Sequence, residues 1–150
     1  MKKPILAIVI LMVANLSNAF AEKGKEVNPA VTASFYKDFG TVKTVSWEMQ
    51  KDYDKATFSL DDQVLYAYYR EDGELLAVVR NILSSQLPIN LMTMLKVNYQ
   101  DYWISNLFEI ASDGNTHYYV TLENAEGTLV LESDEYDQWS VYNKSRKTVM

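Results

Sequence analysis

Apolar residues recur along this chain with two different periods, and the switches between them mark its elements. Val31, Phe35 and Phe39 are spaced by four, which places them on one face of a helix. Asn28 before Pro29 is a cap and first-turn pair, and Gly40 suits the exit. The period then falls to two. Val45, Trp47 and Met49 alternate with Thr44, Ser46 and Glu48; Ala56, Phe58 and Leu60 alternate with Thr57 and Ser59. Both stretches predict strands with one buried face. Asp61-Asp62 breaks the run. The segment QVLYAYYREDGELLAVV from Gln63 then predicts a hairpin turning at Asp72-Gly73, because glycine takes a positive φ without a Cβ clash.

The second half repeats the order. Leu87-Pro88 predicts the start of a helix, with Ser84 or Ser85 as its cap and Ile89, Met92, Leu95 or Lys96, and Tyr99 as its apolar stripe. Strands are predicted over 102–110, 116–122, 127–132 and 138–143, with turns at Asp113-Gly114-Asn115 and Glu126-Gly127. Phe35-x-x-x-Phe39 leading to Trp47 is echoed by Leu95-x-x-x-Tyr99 leading to Phe108, as an internal duplication would give. The fold class expected is α+β: an antiparallel sheet with helices packed on one face, in two helix-plus-four-strand repeats.

The chain starts differently. MKKPILAIVILMVANLSNAFA has a positive start at Lys2 and Lys3, an apolar run from Ile5 to Val13 and a small-x-small end at Ala19-Phe20-Ala21. This predicts a signal peptide over 1–21, cleaved after Ala21. A membrane anchor is the competing account, but the run is shorter than the roughly 20 residues a bilayer requires. The domain plan is therefore signal 1–21, flexible leader 22–28, folded domain 29–143 and basic tail 144–150. Export to the periplasm follows, with no membrane span after cleavage.

Composition narrows the chemistry. The chain has no cysteine, so neither disulfides nor a lipidated cysteine enter, and the core alone must hold the domain. The formal charge is −6, and loss of Lys2 and Lys3 takes it to −8. Such a domain repels phosphate backbones, which argues against nucleic acid. His117 is the single histidine, too few for a zinc site, and a rim position is expected of it. Ser84 and Ser85 lack a nucleophile frame. Asp52, Asp54, Asp61 and Asp62, and Glu71, Asp72 and Glu74, miss the calcium-loop spacing and are accounted for by turns. No catalytic residue, metal or cofactor is predicted.

Tyrosine is what remains. Eleven occur, three of them within Tyr66–Tyr69. Alternation puts Tyr66 and Tyr68 on one face of their strand and Ala67 and Tyr69 on the other. Tyrosine joins a large contact area to a hydrogen-bonding tip at low entropy cost, as binding surfaces need; it is also a good strand former in its own right. Tyr66, Tyr68 and Tyr119 are the candidate protein-binding residues, with Tyr69 the alternative should the parity be reversed.

Taken together, the secretion signal, the F-x-x-x-F helix, V-x-x-V-x-W at 42–47, the Ala56/Phe58 strand, the Asp72-Gly73 hairpin and Leu87-Pro88 resemble the PepSY-like periplasmic family with a β-lactamase-inhibitor-protein-like fold. The resemblance covers nearly all of the mature chain. The second half departs from the family pattern, with Asp134-Glu135-Tyr136-Asp137 where a second Asp-Gly turn is expected. The resemblance implies an exported α+β protein whose inhibitor-like fold presents a sheet face to a protein or peptide of the envelope, and it brings no catalytic motif. With too few His and Cys and no nucleophile frame in the sequence, a non-enzymatic module that binds or inhibits its partner is expected. The alternative expectation is a small-ligand or envelope-stress binder with a pocket between helix and sheet.

Overall fold

The computed structural model describes residues 26–40, 42–133 and 138–147. The expected signal peptide, residues 22–25 of the leader and the turn at 134–137 lie outside the described residues. The elements are helix α1 (Pro29–Phe39), strands β1 (Val45–Met49), β2 (Asp54–Leu60), β3 (Gln63–Tyr69) and β4 (Leu75–Asn81), a 3-10 turn (Ser84–Gln86), helix α2 (Ile89–Asn98), and strands β5 (Trp103–Ser112), β6 (Asn115–Glu123), β7 (Gly127–Ser133) and β8 (Trp139–Arg146). The eight strands form an antiparallel sheet in chain order. The chain divides into two compact units, one reaching Arg80 with Ser112–Gly114 added, the other holding the remainder.

In the first unit, α1 begins as its sequence dictates. Asn28 Oδ1 accepts the Ala30 N–H at 2.9 Å, Pro29 fills the first turn, and Gly40 ends the helix at φ 60°. Val31 and Phe35 are fully buried. The Phe35 ring meets Trp47 at 5.3 Å and Phe58 at 5.0 Å, both edge-on, and Phe39 meets Phe58 at 4.6 Å. Ala56 and Ala67, both 0% exposed, let the helix approach the sheet. The expected core of Phe35, Phe39, Trp47 and Phe58 is thus assembled, with Trp47 and Phe39 at its half-buried margin.

Two turns set the register here. Leu60 pairs with Gln63, so the loop is the two aspartates alone, at φ 49° and 61°. Left-handed values at both positions are those of one of the two turn types whose twist matches the strands of a two-residue hairpin. At the second turn Gly73 has φ 91° and donates to Arg70 O, while Asp72 Oδ1 accepts from Glu74 N. A Cβ at Gly73 would lie 2.8 Å from Ala30 O and from Ser34 Oγ, so glycine also lets this turn lie against α1.

In the second unit, the phase of α2 differs from the expected stripe. Leu91 and Leu95 are buried, with Met92 and Tyr99 beside them, whereas Ile89 is 77% exposed. Leu87 enters the same core from before the helix, which fixes the burial phase at 87, 91, 95. Neither Ser84 nor Ser85 caps α2; they form the 3-10 turn, and Pro88 occupies the cap with no side-chain bond. Val120, Leu122, Leu129 and Leu131 complete the core under the helix, and Trp139 Nε1 donates to Leu91 O at 3.0 Å.

The expected echo of Trp47 in Phe108 is corrected by one residue. Leu107, not Phe108, joins the core beneath α2, since a shift of one position in a strand moves a side chain to the opposite face. At its far end β8 continues through Arg146, so Lys144–Arg146, expected in a basic tail outside the folded domain, lie in a paired strand.

Candidate binding faces

Register fixes which side chains share the face opposite α1. Ser46, Thr57, Tyr66 and Val79 form one cross-strand row, and Glu48, Lys55, Tyr68 and Ala77 the next. Residues directly opposite in antiparallel strands point the same way. Lys55 Nζ reaches Glu48 Oε1 at 3.1 Å and lies 5.1 Å from the centre of the Tyr66 ring. Tyr66 is half-buried, and Val64, two residues earlier on the same face, is 46% exposed. These two present an apolar and aromatic surface bordered by an ion pair and by Ser46, Thr57 and Ser59.

Tyr68 is not part of that accessible surface. It is 3% exposed, opposite small Ala77, with the Tyr53 ring edge-on at 5.3 Å. Burial, then the charges of its neighbours, pushes its phenol well above the usual tyrosine value. The opposite-parity alternative, Tyr69, is also core. It is 0% exposed and its hydroxyl donates to Asp38 Oδ2 at 2.9 Å, tying β3 to α1. Burial and that bond raise its pKa in turn.

Tyr119 belongs to the second unit and is likewise 3% exposed. It lies on the face opposite α2, stacked on Phe108 at 5.3 Å and 11°, with the edge of Tyr142 at 5.6 Å. Its hydroxyl donates to the Glu132 carboxylate, its cross-strand neighbour. Burial first and this bond second raise the Tyr119 pKa; burial and the Glu132 charge raise that of Tyr142. Exposure of Tyr68 and Tyr119 is thus a corrected expectation. Each ring has found aromatic partners on its own face of the sheet, so it is packed there rather than presented. Of the three expected contact residues only Tyr66 remains accessible. Val64 was legible by alternation with Tyr66; Lys55 needed the strand register.

The titratable groups outside the tyrosines are placed structurally. His117 is half-buried, its Nδ1 3.2 Å from Ser133 O. Asp61 and Asp62 form a turn, and Glu74 pairs with Arg70. Among the described residues, no three His, Cys, Asp or Glu side chains are grouped to hold a metal ion. A recess of about 360 Å³ lies where the start of α1 meets the β1–β2 turn. Its wall includes Glu26, Lys51, Asp52, Asp54, Arg70 and Glu71, whereas small-ligand pockets are mostly apolar.

No family model and no curated protein matches the chain. Solved structures do. A DUF2874 family protein from Bacteroides ovatus superposes with a TM-score of 0.70 at 12% identity, over 82% of this chain and 89% of that one. A BLIP-like protein from Bacteroides fragilis gives 0.69 at 15% identity, over 84% and 90%. A candidate periplasmic protein from Bacteroides eggerthii gives 0.69 at 11% identity, over 81% and 90%. At such identities the likeness shows the fold, which is BLIP-like.

Proposed function

We propose that this chain is an exported, non-enzymatic module of the envelope that binds a protein or peptide through the sheet face opposite α1. The observation that carries this is the pairing of Val64 and Tyr66 on that face, bordered by Lys55–Glu48. A solvent-facing strand position needs no aromatic for stability, and an apolar centre with a polar rim is how protein interfaces are built. The BLIP-like and candidate periplasmic structural neighbours support the same reading, as does the signal pattern at 1–21. Periplasmic location, cleavage after Ala21 and PepSY-like kinship belong to this proposal, as does an origin in two duplicated helix-plus-four-strand halves. The duplication is supported by helices that bury Val31/Phe35 and Leu91/Leu95 at matching places, each followed by four strands.

The raised phenol pKa of Tyr68 does not turn this face towards catalysis, because it makes the group a poorer acid and leaves no phenolate at neutral pH to act as base. The experiment is site-specific photo-crosslinking in envelope extract, with the probe at Val64 and, as control, at Ile89 on the exposed side of α2. A partner captured at Val64 and not at Ile89 should bind Tyr66→Ala at least tenfold more weakly, about 1.4 kcal/mol or more. Equal capture at both positions, or full affinity in the variant, refutes the assignment.

A further inference from the structure

A different surface, at the edge of the second unit, carries a separate inference. Among the described residues, β8 pairs with β7 on one side and with no strand on the other. Edge strands in stable proteins are commonly kept short or otherwise blunted, since their free N–H and C=O groups template pairing with another chain. β8 is eight residues long, against five in β1. Ser140, Val141 and Asn143–Arg146 are all exposed, Val141 by 62%.

The far end of this strand is built around a recess of about 460 Å³, its wall including Tyr102, Asn124, Gly127, Lys144, Arg146 and Lys147. Gly127 is needed there, because a Cβ would lie 2.2 Å from Ser145 O. Lys147 is already engaged. Its Nζ donates to Asn124 O at 3.1 Å, lies 3.5 Å from Glu123 Oε2 and sits 5.3 Å from the centre of the Trp103 ring. Lys144 and Arg146 are different. They pair with Leu129 and Gly127, so both point to the same face, and no ion pair engages either among the described residues. Two cations without an ion pair among the described residues therefore flank one recess, whose wall also includes the acidic Glu126, in a chain of net charge −6.

We propose that β8 takes up an extended acidic segment of another protein as an added strand, with one of its carboxylates seated in the recess against Lys144 and Arg146. Main-chain pairing along the edge supplies affinity, and the recess supplies preference for acid at one position. A free small anion is the weaker occupant. Both cations are exposed, and a single solvated ion pair contributes little unless further bonds hold the ligand in place. Basic side chains also serve simply to blunt an edge, and the experiment separates that role from recognition.

The test uses the mature chain and two synthetic octapeptides, one alternating glutamate with valine and one alternating lysine with valine. Calorimetry reads affinity, and amide hydrogen exchange reads which strand becomes protected. The acidic peptide should bind, slow exchange in β8 and not in β1, and lose about tenfold or more in affinity for Lys144→Glu with Arg146→Glu. Lys144→Gln with Arg146→Gln should give a smaller loss in the same direction, and serves in its place should the reversed variant fail to fold. Tyr66→Ala should bind the peptide as the parent does, so failure here is distinct from failure of the opposite-face assignment. The proposal is overturned if neither peptide binds, if the lysine peptide binds as well, if protection falls outside β8, or if neither double variant weakens binding. Displacement of the peptide by equimolar inorganic phosphate, or binding to anionic lipid vesicles in its place, would likewise overturn it.

Discussion

Tyr66 and Tyr68 are two positions apart on the same face of one strand, yet they answer to different forces. Tyr68 is buried against Tyr53, while Tyr66 stays half-exposed beside Lys55. Truncation should divide them. Tyr68→Ala removes a buried ring and should cost about 3 kcal/mol or more, whereas Tyr66→Ala should stay within about 0.5 kcal/mol. Urea midpoints of the two variants check this, and equal losses would place both rings in the core. The alternation in QVLYAYYR made their shared parity legible, but not their depth. Which rings are covered depends on long-range neighbours such as Ala77 and Tyr53, set by register and not by the local pattern. Tyr119 departs from expectation for the same reason, since Phe108 and Glu132 reach it from other strands.

At the scale of elements, signals that act within a few residues were legible and those that depend on phase were not. The Asn28-Pro29 start, the Asp61-Asp62 break and the Asp72-Gly73 turn lie where local chemistry demands them. The β1 to β3 alternation also gave the core facing α1. The apolar stripe of α2 was harder, because INLMTMLKVN is apolar on several sides and Ile89 competes with Leu91 for the core. Leu91→Ala should cost about 2–5 kcal/mol and Ile89→Ala less than about 0.5 kcal/mol. Thermal midpoints in the same order of size for both would show the phase to be wrong. The aspartate turn offers the converse test. A non-glycine residue in the left-handed region carries a cost of roughly 1 kcal/mol. Asp62→Gly keeps the turn at φ 61° and should raise stability by about 0.5–1 kcal/mol, read as a higher denaturant midpoint with unchanged slope. A fall would mean that the Asp62 side chain contributes more than its backbone strain costs.

Across the whole molecule the tyrosines set a limit at alkaline pH. Tyr68, Tyr69 and Tyr119 are each at most 3% exposed, and each has its folded pKa pushed above the ordinary value of 10.0, chiefly by burial. Below pH 10 these phenols are protonated whether the chain is folded or not, and the associated stability is fully present. Above it the unfolded chain releases protons that the folded chain retains, so stability must fall as pH rises. Each such group costs about 1.4 kcal/mol per pH unit in that window. Three together remove at most roughly 4 kcal/mol per unit, a large share of a typical domain stability of about 5–15 kcal/mol. The chain is already acidic, and every ionised phenol adds repulsion of the same sign. Expected, then, is a cooperative alkaline transition in which tyrosinate absorbance rises together with the loss of far-ultraviolet dichroism. Tyr68→Phe keeps the ring and removes one titrating group. Its alkaline midpoint should therefore move upward relative to its own stability at neutral pH. Complete tyrosine ionisation with the dichroism intact would mean that these phenols reach water in the folded protein, and the aromatic packing on both sheet faces would have to be redrawn.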